Sequence, residues 1–345
     1  MTHPSAGRYE SLDYLRGLMA LAVMVFHFDK WLNGRWDAAS LQGRLGVYAV
    51  SIFFVLSGLT LTLVYSGCLK ASAESVFLYF QKRFWRIFPL LWLTTLCSLL
   101  IDDVERPVID IMLNVTGLFG WVNPARDIAT GAWSIGCELV FYAFFPLILW
   151  SAQRWKWSIG FMWLCSFALA VYIAFRWFDP AAQDQSFWWP AYVQVANHIS
   201  FFLAGMWLGV SDRRENRFFI IPFILFSLVF FLWPVGFQAF TLVYGWDRIV
   251  LLLLTTGLVA FYFQIPVKLP EIPAKLLNWL GLISYSLYLW HPIVFRGVQF
   301  MMRKFQQTWS SGWIFLLAGM ASVAVAGVSY YYFERLIQRH MVKAH

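Results

Sequence analysis

The chain has 345 residues, of which 60% are hydrophobic and only 13% charged, and its mean hydropathy is +0.63. A soluble chain is about half apolar and about a quarter charged, so a pair of water-soluble domains is excluded and a polytopic membrane protein is implied. The net charge of +8 then reports basic loops at one membrane face rather than a nucleic-acid partner, and the 20 Trp and 15 Tyr suit the headgroup level, where amphipathic rings collect.

At the N-terminus, MTHPSAGRYESLDYLRG carries charges up to an apolar run of full spanning length, which predicts an uncleaved first span. Hydropathy predicts further spans, so that the set runs over 12–33, 44–66, 87–101, 133–150, 157–176, 190–210, 218–235, 248–264, 276–298 and 312–333. The expected architecture is all-α: about ten transmembrane helices in one bundle, a single domain over 1–345. Between the second and third spans, 72–86 reads as an amphipathic helix lying on the interface, with Phe77, Phe80, Phe84 and Trp85 in lipid. The segment 109–121 is apolar but short for a crossing, so it is expected to be re-entrant or interfacial. With the N-terminus inside, fifteen Lys and Arg (Arg8 and Lys343 among them) fall on the cytoplasmic side and ten, including Lys30, Arg35, Arg44 and Arg248, on the other. That bias predicts both termini in the cytoplasm. Cys68, Cys97, Cys137 and Cys165 form no CxxC pair and suggest no metal or redox site.

Charged side chains inside spans are costly and therefore carry either function or a structural pairing. Arg16 and His27 stand eleven residues apart on the first span. At about 100° per residue that is within about 20° of three whole turns, so both lie on one helix face about 16 Å apart along the axis. Arg16 could instead snorkel to the interface beside Asp13, and His27 could be a satisfied interhelical hydrogen bond. Glu138 reads as the one acid inside a span; His291 is followed by Pro292 and could simply sit at a kink; His198 reads as a structural core histidine. Rise along each span from its expected membrane entry places His27, Glu138 and His291 at one level in the outer third of the bilayer. Two imidazoles and a carboxylate at one depth are the parts of a general base with an orienting acid. At the inner face, Arg83 and Arg86 stand three apart in QKRFWRIFPLLW, a spacing suited to phosphate and equally to positive-inside anchoring. A ligand joining those arginines to His27 must be long and thin, the form of the pantetheine arm of coenzyme A.

Six blocks together resemble the acyltransferase family 3 of integral membrane proteins: LDYLRGLMALAVMVFH, SIFFVLSGLTLT, KRFWRIFPLLW, AWSIGCELVFYAFFP, SYSLYLWHPIV and a closing YYFERLIQR. The resemblance implies an acyl-CoA donor, acetyl-CoA first among them, on the cytoplasmic side and catalysis by His27. It makes Arg16, Arg83 and Arg86 donor-binding or structural, matches Glu138 to the family's acid, and lines the site with the SYSLYLWHP block; Trp133, Ser134, Ser284, Tyr285 and Tyr288 are the expected lining residues. Where family members show a second acid, Cys137 and Leu139 flank Glu138 here. No appended extracytoplasmic domain is visible, so transfer is expected to finish within the bundle. The expected function is O-acyl transfer, in particular O-acetyl transfer, to a hydroxyl of an envelope glycan or its lipid-linked saccharide precursor. The lipid bilayer is a partner, and a homo-oligomer stays open. The rival readings are a transporter or flippase with a His/Glu proton path, and the same chemistry on a small hydrophobic metabolite.

Overall fold

The computed structural model describes residues 9–342 apart from 35–36, 103, 180–183, 212 and 307–308. Arg8, Arg35 and Lys343, used in the charge count, lie outside the described residues. The helices are α1 (Glu10–Asn33), α2 (Leu41–Tyr65), α3 (Ala73–Ile101), α4 (Val108–Thr116), α5 (Phe119–Val122), α6 (Trp133–Arg154), α7 (Ser158–Arg176), α8 (Gln185–Tyr192), α9 (Ile199–Val210), α10 (Ile220–Leu232), α11 (Gly245–Gln264), α12 (Glu271–Lys304), α13 (Ser311–Ser329) and α14 (Arg335–Val342), with five residues of π-helix, Tyr330–Glu334, joining the last two. There is no strand among the described residues. Seven helices, α1, α2, α3, α6, α7, α11 and the run from Ser311, are long and apolar enough to cross a bilayer. The chain is an all-α polytopic membrane protein.

Two expectations change. The stretch 72–86 is not a separate interfacial helix; it is the first half of the continuous 29-residue α3, whose N-cap Ser72 accepts from the Ser75 backbone N–H. The basic and apolar residues alternate there because one face of α3 packs inward while the other meets lipid. The predicted span 190–210 is broken, with α8 and α9 separated by a short 3-10 turn, Val195–Asn197. The apolar 109–121 forms the nine-residue α4 and the four-residue α5, parted by Gly117 at φ 74°. At about 1.5 Å per residue neither is long enough to cross.

Small residues set the helix crossings, as expected where lipid leaves packing rather than water exclusion to hold helices together. A Cβ on Gly17 of α1 would stand 2.8 Å from the Leu280 Cβ of α12, and one on Gly281 would stand 2.3 Å from the Asp13 carbonyl oxygen. A second glycine crossing joins α2 to α9, where a Cβ on Gly58 would meet the Phe202 carbonyl at 2.1 Å. Helix α1 starts with Glu10 and Asp13, ends with Lys30 and closes on Gly34 at φ 71°, which matches side-chain charge to the helix dipole at both ends.

Candidate functional site

The α1–α12 crossing fixes the central pair. From Gly17 to His27 and from Gly281 to His291 is the same ten-residue step. The two helices meet again at those positions, with His27 Nδ1 and His291 Nε2 2.8 Å apart. His291 is 1% exposed. Its Nδ1 lies 3.0 Å from the Leu287 carbonyl oxygen, which can only accept, so that nitrogen carries the hydrogen. In the neutral ring Nε2 is then the acceptor, His27 Nδ1 must donate to it, and the lone pair on His27 Nε2 is left free. His27 faces a pocket whose other walls include Lys30, Trp133, Gln185, Trp188, Trp189, Tyr192 and Tyr288.

Glu138 does not join this pair. Its carboxylate accepts from the Tyr142 hydroxyl at 2.8 Å, and Tyr142 in turn bonds Ser57 at 2.7 Å. It lines a separate cavity of about 890 Å³ together with Arg16, Arg83 and Arg86. The three groups do not gather at one site, because Trp133 at the start of α6, and not Glu138, stands beside His27. Trp133 is buried and shares the His27 pocket. Glu138 therefore lies about 7.5 Å further along α6, toward the arginines. The start of α6 is held inside by the loop before it: the Trp133 backbone N–H donates to Asp127 at 3.0 Å, and the Gly131 carbonyl, at φ 88°, accepts from Ser134 and from Tyr288, each at 3.0 Å.

The arginine cavity brings together Arg16, Arg83 and Arg86 with Ser134, Ser284 and Tyr285, and it shares Val50 and Tyr288 with the His27 pocket. All five expected lining residues thus face one space or the other. A third recess, about 1010 Å³, opens beside Tyr9, Asp13 and Thr60 and shares Arg16, Arg86 and Gly281 with the arginine cavity. The three spaces are neighbours with shared walls, ordered from the N-terminal end of α1 to His27. Arg16 donates to Thr60 at 2.7 Å and has Asp13 at 3.9 Å. Arg83 sits 5.9 Å over the Tyr65 ring and its Nε has no hydrogen-bond partner among the described residues. Arg86 sits 5.7 Å over Tyr285, whose hydroxyl donates to the Ile87 carbonyl. Arg16, Arg83 and Arg86 are the residues here that could hold a phosphate group.

The sequence reading missed Glu334. It is 2% exposed, bonds Ser286 and, at 3.4 Å, Ser329, and stands 3.9 Å from Arg86. Glu138, which is half-buried, is therefore not the only acid inside the helices, and Glu334 is the more enclosed: the tenth predicted span stops at 333, and the π-turn carries the next residue inward. The block YYFERLIQR held the signal. Arg44 and Arg248, counted as outer-loop charges, are buried within helices. Arg44 donates to the Phe230 and Trp233 carbonyls at 2.6 Å each, and Arg248 to that of Asn197 at 3.1 Å. His198 is fully buried against Trp133 and Tyr192, as a structural residue would be.

A family model described as "Acyltransferase domain" matches residues 9–331. Acyltransferase MdmB of Streptomyces mycarofaciens is 30% identical over 183 residues, 49% of this chain and 46% of its own length. A Staphylococcus aureus (strain COL) protein named "Putative O-acetyltransferase SACOL0978" is 23% identical over 96% of this chain and 58% of its own. Nodulation protein 10 of Rhizobium leguminosarum bv. viciae is 29% identical over 44% of this chain and 47% of its own. The chain thus spans about half the length of these relatives. No solved structure matches.

Proposed function

The chain belongs to the acyltransferase family whose domain covers residues 9–331, and from that premise we propose that it moves an acyl group, acetyl in the first instance, from acyl-CoA to a hydroxyl of an envelope glycan or its lipid-linked precursor. The observation that carries this reading is the directed chain from the Leu287 carbonyl through His291 to His27, which leaves His27 Nε2 as a free base facing a pocket. Donor phosphates lie against Arg83, Arg86 and Arg16 and the pantetheine arm threads past Tyr288 toward His27. The acceptor occupies the aromatic pocket. His27 Nε2 takes the acceptor's hydroxyl proton as its oxygen attacks the thioester carbonyl. The carbon–sulfur bond breaks, and the proton passes to the departing thiolate, giving the ester and free coenzyme A. His291 steadies the imidazolium through the Nδ1 hydrogen bond, the task the sequence left to Glu138 or His291. Glu138 instead sets the charge of the donor cavity. The bilayer is read as a bacterial inner membrane with both termini cytoplasmic.

The test is release of coenzyme A thiol from acetyl-CoA by purified protein supplied with a hydroxyl-bearing saccharide acceptor, with coenzyme A binding measured in parallel. His27→Ala abolishes release while coenzyme A still binds. His291→Ala slows release by about 10²–10⁴-fold, the range of general-base assistance. Arg83→Ala and Arg86→Ala each weaken coenzyme A binding by about 1.5–3 kcal/mol, the worth of a charge-assisted contact. Wild-type rates in His27→Ala, or unchanged coenzyme A affinity in both arginine variants, would overturn the proposal.

A further inference from the structure

The aromatic pocket carries a charge that the chemistry above does not use. Lys30 follows His27 by three residues on α1, so the two side chains sit on one face about 5–6 Å apart at Cβ. Among the described residues Lys30 is the one formally charged side chain lining that pocket. Its partner is uncharged, the Gln185 side-chain oxygen at 3.0 Å, and no described carboxylate lies within ion-pair distance of it. Behind the pocket wall a second cation, the fully buried Arg248, stands 6.0 Å from the Tyr192 ring and 5.5 Å from Tyr48, again with no ion pair among the described residues. The charged side chain that faces the pocket is therefore a cation, with a second cation behind its wall. A lysine in the last turn of a helix also gains from the helix dipole, but that gain does not require it to face a cavity beside the base. The remaining walls, Trp133, Trp188, Trp189 and Tyr192, offer flat apolar faces with polar edges, suited to the C–H face of a pyranose ring.

We propose that this pocket takes an anionic saccharide, its carboxylate or phosphate on the Lys30 ammonium beside the Gln185 amide, its ring on the indoles, and the hydroxyl to be acylated at His27 Nε2. The inference rests on the acyltransferase reading and narrows its acceptor. The short Lys30–His27 step puts the acidic group and the reacting hydroxyl on the same sugar residue. A neutral sugar leaves the ammonium desolvated and unpaired, so the selectivity comes as much from rejecting neutral rings as from attracting charged ones.

The experiment uses full-length protein in lipid nanodiscs and three matched probes: methyl glucuronoside (carboxylate), glucose 1-phosphate (phosphate) and methyl glucoside (neutral), each titrated calorimetrically, with coenzyme A binding measured on the same sample. At least one anionic probe should bind about tenfold more tightly than the neutral one, the size of one charge-assisted contact. The tighter of the two names the anion. Lys30→Gln should bring the three probes within about twofold of one another while Lys30→Arg keeps the preference. Equal affinities, no saturable binding of any probe, or a preference that survives Lys30→Gln would overturn the proposal. A sample that binds coenzyme A but shows no charge preference refutes this inference alone. One that binds no coenzyme A refutes the donor reading while the charge comparison still decides the acceptor.

Discussion

Asp127 ties the loop before α6 to the helix start, accepting from the Trp133 backbone N–H, and burial pushes its carboxyl up to about 7 even though that N–H and Arg106 pull it down. The folded protein therefore holds a proton on Asp127 that an unfolded chain releases at ordinary carboxylate pH. The stability this contributes is fully present below about pH 4 and is lost as pH rises through 7. The midpoint of thermal unfolding in detergent should fall between pH 5 and pH 8 for the wild type. Asp127→Asn keeps the acceptor oxygen and cannot ionise, so it should flatten that slope; identical slopes in the two proteins would remove Asp127 from the account. Residues of this kind are hard to find from sequence because Asp127 sits in a polar loop with nothing to mark it as enclosed. Arg16, His27 and His291 were legible for the opposite reason: a polar side chain inside an apolar run stands out. Glu334 was missed because hydropathy ends one residue before it, and Lys30 because a lysine near a helix end counts as a loop charge until its pocket is seen.

At the scale of elements, the pairing of α1 with α12 is what turns two separated histidines into one unit. The periodicity of each helix was readable, and so was the face shared by Arg16 and His27, but the register between helices 264 residues apart depends on where two glycines let backbones touch. Where Glu138 lies was not readable either, since it depends on the loop that carries Trp133 to the His27 pocket at the start of α6. The crossing is testable within one helix. Gly281→Ala puts a methyl 2.3 Å from a backbone oxygen of α1, whereas Gly297→Ala, also on α12, meets nothing within 4 Å. The first should destabilise by about 1–3 kcal/mol, as overpacking does, and should reduce coenzyme A release by shifting His291 from His27. The second should be neutral or stabilise by up to about 1 kcal/mol, from lost flexibility of the unfolded chain. Equal effects of the two on thermal stability and on release would mean that the crossing does not set the register.

For the whole molecule, the order of the three neighbouring spaces implies a direction. The recess beside Tyr9 and Asp13 lies at the N-terminal end of α1, the arginine cavity follows, and the aromatic pocket comes last, beside Lys30 near the far end of the same helix. Arg16 and His27 are about 16 Å apart along that axis, more than half of a hydrocarbon core about 30 Å thick. On the proposed reading, a donor held by the arginines and an acceptor held by the tryptophans would approach from opposite ends of α1, with only the slender thioester arm passing Tyr288 and Val50 between them. This geometry predicts vectorial transfer. In sealed vesicles of one orientation, labelled acyl-CoA supplied only on the side of the α1 N-terminus should acylate an impermeant saccharide acceptor supplied only on the other side. Reversing the two reagents should give no product. Tyr288→Trp, which narrows the passage without touching a charged group, should slow transfer while coenzyme A affinity stays within about twofold, because the phosphate contacts that dominate binding lie on the near side of it. Product formed only when both reagents share one side would place donor and acceptor in a single entrance and sink the through-membrane path, whatever His27→Ala does.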